Sequence, residues 1–224
     1  MKSLPLSKRI GGLFFLLILF SGGVLEEKNV TASVELYKEG IPQNVLALVE
    51  AVVCIEAVKG EKKEQYSGFF IDDNGTIIST THNLDDFDQF SVGLHDGRKM
   101  KGEIIRFDRH KDLSLIKIDL KSTSHIMLTR GRKNLQMGEQ VFSLGCPLNL
   151  VGTVFTGIVN GPPRRVDDLT YWQVNIEIHP GSSGSPVFDM NGKLVGVVKG
   201  RYRGTHSIGF LIPLDAIAAF MSEK

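Results

Sequence analysis

Little in this 224-residue chain is extreme, and what is scarce narrows what it can be. Charge is nearly balanced, 26 Lys and Arg against 25 Asp and Glu, so no basic excess exists to draw the chain to nucleic acid. There are only two cysteines, Cys54 and Cys146, and no Cys/His cluster has metal-ligand spacing, so neither metal nor cofactor is expected. Both cysteines sit in apolar strand-like runs. An oxidising compartment would permit a bridge, but their surroundings favour two buried thiols. No apolar run reaches the ~20 residues of a spanning helix, and no internal repeat or low-complexity tract is present. What remains is an ordinary globular chain, long enough for one large all-β domain or two small ones.

The first stretch stands apart. Lys2, Lys8 and Arg9 precede an apolar run at 10–20, and Ser21-Gly22-Gly23 follow. This is the basic, apolar and small-residue order of a secretory signal, so 1–23 reads as a cleaved signal, with an uncleaved membrane anchor as the alternative. Either way the body is expected outside the cytosol, periplasmic or secreted, touching a membrane only if the segment is retained. Residues 24–44 are polar and mixed, a linker or arm. Asn29-Val30-Thr31 and Asn74-Gly75-Thr76 are glycosylation sequons that matter only in a eukaryotic secretory pathway.

From Val45 short apolar runs alternate with turn signals. Strands are expected at 51–58, 67–71, 76–80, 90–94, 102–107 and 113–118, with Asp72-Asp73-Asn74-Gly75 and Asp96-Gly97 as turns. Glu61-Lys62-Lys63-Glu64 reads as a solvated hairpin loop. After a polar connector at 121–134, a second set falls at 140–144, 153–159, 170–178, 186–189, 193–198 and 208–212. Pro213 then opens a short apolar helix. Two groups of six strands predict an all-β fold: two six-stranded antiparallel β-barrels packed side by side, about 45–120 and 136–213, with a C-terminal helix at 213–222. A ligand site would fall in the cleft between them.

The chemistry concentrates at Pro180-Gly181-Ser182-Ser183-Gly184-Ser185-Pro186. The glycines allow a sharp turn that can hold one hydroxyl outward and aim N–H groups at an oxyanion. A nucleophilic Ser needs a base, and the base needs an orienting carboxylate. Of six histidines, His82 ends the apolar run 76–81, where a strand would meet the cleft. Asp112 lies immediately before the apolar run 113–118. His110 is too close to Asp112 in sequence to be its partner. Each residue alone reads more simply as a strand-end or loop polar group; their joint occurrence in this order changes that reading.

These residues resemble the trypsin-like serine peptidases, most closely the HtrA/Deg branch. The resemblance rests on Gly68–His82 (GFFIDDNGTIISTTH), Asp112–Lys117 (DLSLIK) and Asn175–Val187 (NIEIHPGSSGSPV), with Val45–Ile55 as a lead-in to the first strand. It implies Ser183 as nucleophile, His82 as base and Asp112 as its orienter. Gly181 and Ser183 would supply the oxyanion N–H groups, with Ser182 shaping the turn between them. Lys199-Gly200-Arg201 would pair with substrate backbone. The expected activity is serine endopeptidase, the partners protein or peptide substrates, and the setting extracytoplasmic quality control. A homo-oligomer is left open.

The chain also departs from that pattern. Ser185 stands where the family has Gly, and if the position needs φ > 0 a Ser costs about 1 kcal/mol. Ser182 and His179 replace Asn residues, Lys199 replaces a small hydroxyl residue, and no PDZ-like segment follows the last helix. Glu177, six residues before Ser183, could place an acid in the S1 pocket and select basic P1 residues. The plainer expectation is that Glu177 alternates outward with Gln173 and Asn175, leaving a small apolar P1, to which His179 would be adjacent. A pseudopeptidase used for peptide binding or chaperoning, and an esterase or narrow processing enzyme, are the competing functions.

Overall fold

The computed structural model describes residues 43–82, 84, 87–121 and 124–223. The expected targeting segment, 1–23, and nearly all of the expected arm, 24–44, lie outside the described residues. Twelve strands follow a short helix, α1 (Gln43–Ala51). The first barrel contains β1 (Val52–Lys59), β2 (Lys62–Phe70), β3 (Thr76–Ser79), β4 (Gln89–Gly93), β5 (Lys99–Asp108) and β6 (Leu113–Lys117). The second contains β7 (Gln140–Gly145), β8 (Thr153–Val166), β9 (Leu169–Val174), β10 (Pro186–Asp189), β11 (Leu194–Arg201) and β12 (Gly209–Pro213). A closing helix, α2 (Leu214–Ser222), follows. Each set of six closes into an antiparallel barrel, in the order β1-β2-β3-β6-β5-β4 and β10-β11-β12-β9-β8-β7. Closure leaves no unpaired edge over most of each sheet.

Strand β1 shows side-chain alternation, while β6, β10 and most of β11 are apolar runs buried on both faces. Along β1, Val53, Ile55 and Ala57 are fully buried and point into the first barrel with Ile77, Val92 and Ile116. Val141, Val174, Val187 and Val198 fill the second barrel. A third apolar cluster joins them: Phe69, Ile78 and Leu113 of the first barrel meet Leu144, Phe188 and Ile212 of the second. α2 lies on this shared core through Ile217 and Phe220. The Arg106 guanidinium of β5 stacks over the Phe220 ring at 4.4 Å and donates to the Phe220 carbonyl at 2.8 Å. The helix therefore clasps both barrels.

Four expectations need correcting. The lead-in 45–55 is helical as far as Ala51, the residue expected to open the first strand, and Lys62–Glu64 belong to β2, so the hairpin turn is shorter than a Glu61–Glu64 loop. The strand expected over 170–178 ends at Val174: the Asn175 side chain accepts from the Ile158 N–H at 2.7 Å, and 176–178 have no strand partner. Gln173 stays on the face opposite Trp172 and Val174, which pack in the second barrel, yet is only 8% exposed where Arg164 Nε donates to its Oε1 at 2.8 Å.

The fourth correction is the thiols. Cys54 and Cys146 form a disulfide, with Cα atoms 5.3 Å apart across 92 residues of sequence. Cys54 lies on β1 and Cys146 follows β7, so the bridge ties one barrel to the other. Closing a loop of that length restricts the unfolded chain by about 4.6 kcal/mol in the chain-entropy model. A Cys54→Ser/Cys146→Ser double variant should therefore unfold at a clearly lower urea midpoint than the oxidised wild type. Coincident midpoints would show that the bridge adds no stability.

Candidate active site

The β3–β4 connection, the start of β6 and the turn before β10 meet in the cleft between the barrels. Asp112, at the mouth of β6, has φ +57° and is 3% exposed. This left-handed conformation, uncommon for a residue other than Gly, turns its carboxylate back toward β3. Both oxygens are used. Oδ1 accepts from the N–H groups of Thr81 at 3.1 Å and His82 at 2.7 Å. His82 Nδ1 lies 3.0 Å from Oδ2 and 3.1 Å from Oδ1. Lys199 Nζ donates to Oδ2 at 2.8 Å. An ionised carboxylate only accepts, so Nδ1 carries the proton and Nε2 is left with a lone pair for a nucleophile.

Burial pushes the Asp112 carboxyl upward, but the His82 hydrogen bond and the charges of His82 and Lys199 outweigh it. The group stays below the usual carboxylate range. Its linkage has a definite sign. A lowered folded value adds stability above the ordinary unfolded pKa near ~4 and loses it as pH falls through the folded value. Unfolding free energy should therefore drop on acidification below about pH 4. An Asp112→Asn variant should lose less over that window; equal slopes would show that Asp112 is not coupled to folding.

Ser183 sits on a turn built from left-handed glycines, Gly181 at φ +90° and Gly184 at φ +89°. A side chain at either would also collide with neighbours: at Gly181 its Cβ would come within 2.9 Å of the Cys146 carbonyl oxygen, and at Gly184 it would strike the Ser67 carbonyl. Ser182 N–H donates to the His179 carbonyl at 2.9 Å, and Ser182 Oγ accepts from the His179 N–H at 3.1 Å. Ser182 thus cross-links the turn and its N–H is spent there. The N–H groups of Gly181 and Ser183 have no protein acceptor among the described residues. Ser185 is not in the left-handed region, so the strain considered for a Ser there does not arise. Gly145, which has no side chain, leaves space for its hydroxyl.

The Ser183 hydroxyl donates to the Lys199 carbonyl at 3.1 Å, and no hydrogen bond joins it to His82 among the described residues. Catalytic hydrogen bonds are often unmade in unliganded sites. Lys199 nonetheless links the parts, its carbonyl on Ser183 and its ammonium on Asp112. Tyr66 packs edge-on against the His82 ring, centroids 5.7 Å apart, with its hydroxyl 3.2 Å from the His82 carbonyl.

The remaining expected residues are placed as follows. Lys199, Gly200 and Arg201 end β11, pairing with β12 on one side through a bulge. The β10 ladder on the other side stops at Val197, leaving an open backbone edge beside Ser183. Arg201 NH1 lies 2.7 Å from His206 Nδ1. Glu177 is exposed, its carboxylate 3.4 Å from His179 Nε2, while the His179 ring stacks on Phe155. His110 is on the surface, against the Asp167 carbonyl. Sequence reasoning missed Ser67, Gln65 and Tyr66 of β2. Ser67 directly precedes the quoted Gly68-Phe69 run, but nothing in its spacing marked it as part of the site.

Two closed antiparallel barrels with a His–Asp pair and a glycine-flanked Ser in the cleft define the class of the two-barrel serine hydrolases. Residues 66–197, more than half of the chain, match the trypsin-like peptidase domain family, and the chain belongs to that family. It is 34% identical over 165 residues to the serine protease HTRA1 of Xenopus laevis, covering 70% of this chain and 36% of that protein. It is 30% identical over 161 residues to a probable periplasmic serine endoprotease, DegP-like, of Halomonas elongata, covering 69% of this chain and 34% of the relative. The chain thus spans about a third of the length of these curated relatives. Among solved structures, the HtrA-type protease AlgW with tripeptide superposes at TM-score 0.71 with 25% identity, covering 80% of this chain and 62% of that one. The serine endoprotease from Yersinia pestis gives 0.67 with 26% identity, covering 81% and 66%.

Proposed function

We propose that this protein is a serine endopeptidase that cleaves peptide bonds through an acyl-enzyme on Ser183. In this reading 45–224 form the peptidase domain, preceded by the targeting segment 1–23 and the arm 24–44, and the work is extracytoplasmic protein quality control. The observation that carries it is His82 Nδ1 held on buried Asp112, with Ser183 on a turn whose Gly181 and Ser183 N–H groups have no protein acceptor among the described residues. Substrate would lie along the open edge at Lys199-Gly200-Arg201. Its amide would displace the Ser183 hydroxyl from the Lys199 carbonyl and so release it toward His82 Nε2. His82 takes the Ser183 proton as Oγ attacks the carbonyl carbon. The oxyanion forms against the Gly181 and Ser183 N–H groups. His82 then protonates the leaving amine, and water repeats the cycle to free the acid.

A small apolar P1 residue is the preferred substrate. Ile178 Cδ1 lies 2.6 Å from where a Gly209 side chain would begin, and Gly209 pairs with Arg201, so apolar atoms lie against the strand that backs the substrate edge. Glu177 points away to His179. The test is fluorophosphonate labelling of the purified protein together with casein hydrolysis and a P1-scanning peptide library. Labelling with casein cleavage and a preference for Ala or Val supports the reading. Preference for Arg or Lys would restore Glu177 as the selector. A folded protein that neither labels nor cleaves would instead be a pseudopeptidase, with Ser183 held on the Lys199 carbonyl.

A further inference from the structure

We propose that Ser67, in the first barrel, is the positioning residue for the oxyanion turn of the second. The inference rests on the reading of the Gly181 and Ser183 N–H groups as oxyanion donors. Ser67 lies on β2, fully buried, and every polar atom it has is engaged. Its N–H donates to the Ser183 carbonyl at 2.8 Å. Its Oγ donates to the Gly181 carbonyl at 2.6 Å and accepts from the Cys146 N–H at 2.8 Å. Its carbonyl accepts from Ser79 Oγ at 2.7 Å. One residue thus holds a backbone atom of each residue that carries an oxyanion donor.

The direction of these bonds is fixed. A hydroxyl has one proton, and the Cys146 N–H occupies a lone pair of Oγ, so the proton goes to the Gly181 carbonyl. That carbonyl is buried with its residue, and rotating the peptide would leave it unpaired where water does not reach. Gly181 is free to adopt other conformations on its own account, because it has no side chain. Its N–H belongs to the preceding peptide, whose Pro180 carbonyl accepts from the Leu148 N–H at 3.2 Å, and the Ser67 bond fixes the peptide that follows, so the two anchors together hold the Gly181 backbone with its N–H facing the cleft. The Ser67 anchor is itself braced. Cys146 is tied to β1 by its disulfide, and Gln65 Nε2 donates to the Cys146 carbonyl at 2.9 Å and to Asn149 Oδ1 at 2.8 Å. Gly184 brings the chain so close to Ser67 that no other residue fits there. The two barrels supply different halves of the chemistry: the second carries the donors and the first aims them.

The test measures kcat and KM of the whole protein and of Ser67→Ala on a peptide ester. It also measures binding of a peptidyl boronate, which forms a tetrahedral adduct on Ser183, and of the corresponding product peptide, which does not. Losing a single oxyanion donor costs on the order of 10²–10³ in rate, and misaiming one should approach the lower figure. We expect kcat to fall by roughly 10²-fold with KM little changed, and boronate affinity to fall while product affinity holds. A kcat within twofold of wild type, or equal loss of both ligands, overturns the proposal. Should Ser67→Ala fail to fold, Ser67→Thr is read in its place. It keeps the hydroxyl and perturbs packing only, so wild-type kcat in a less stable protein supports the proposal, and kcat lost in step with stability overturns it. A wild type inert to substrate and fluorophosphonate would overturn the functional reading and this inference with it. An active wild type with an equally active Ser67→Ala overturns this inference alone.

Discussion

Ser183→Ala is expected to lower kcat for peptide hydrolysis on the order of 10⁶-fold, the cost of deleting the nucleophile of a coupled triad. Both the covalent bond and its activation vanish together. A second deletion, His82→Ala in the Ser183→Ala background, should therefore add almost nothing, since the base has no proton left to take. In the proposed mode substrate pairs along the open edge at Lys199-Gly200-Arg201, whose backbone groups the substitution leaves in place. KM or peptide affinity should stay near the wild-type value, and the Lys199 carbonyl, no longer occupied by the Ser183 hydroxyl, is free for substrate. The decisive comparison is single-turnover hydrolysis by wild type, each single variant and the double. Residual activity within tenfold of wild type in Ser183→Ala would mean that another nucleophile does the work.

Asp112→Asn should cost about 10⁴-fold in kcat, the scale of a triad whose imidazole is held in the wrong tautomer. The contacts explain why this site leaves no escape. The N–H groups of Thr81 and His82 both point at Oδ1, so the amide oxygen of Asn must take that place. Its NH₂ then occupies the Oδ2 position, facing the ammonium of Lys199 and Nδ1 of His82, both donors in the wild type. The amide can only donate to Nδ1, which puts the ring proton on Nε2 and removes the lone pair that Ser183 needs. Lys199 also loses the carboxylate that balances its charge. The measurement is the kcat/KM ratio of the variant to wild type, with proton NMR of the imidazole reporting the tautomer. A loss below tenfold, or an unchanged ring tautomer, would remove Asp112 from the triad.

Much of the architecture was legible because its signals are local. Alternation of buried residues along 53–58, the short apolar run at 113–118, and turn chemistry at 72–75 and 96–97 depend only on neighbours within a few residues. The same locality explains the errors. Residues 43–51 are a short apolar run without clear period, which strand and helix fit equally well. Residues 175–178 alternate in burial like a strand but lack a partner. Side-chain period reports which face is buried; pairing depends on where another strand ends.

For the site, the order His82, Asp112 and Ser183, each at a strand edge, was readable because acyl transfer needs those residue types and the turn needs its glycines. Sequence by itself determined the twelve strands in two groups, the residues able to do the chemistry, and the resemblance to the trypsin-like family that the match over 66–197 then established. Only the tertiary structure decided that Cys54 and Cys146 join, that Lys199 reaches the Asp112 carboxylate, and that Ser67 bonds the turn at 181–183. Those contacts span 92, 87 and 114 residues of chain. No local pattern encodes such pairs; they exist because two barrels close separately and pack on one shared apolar core, which sets the distances between residues that sequence leaves unrelated.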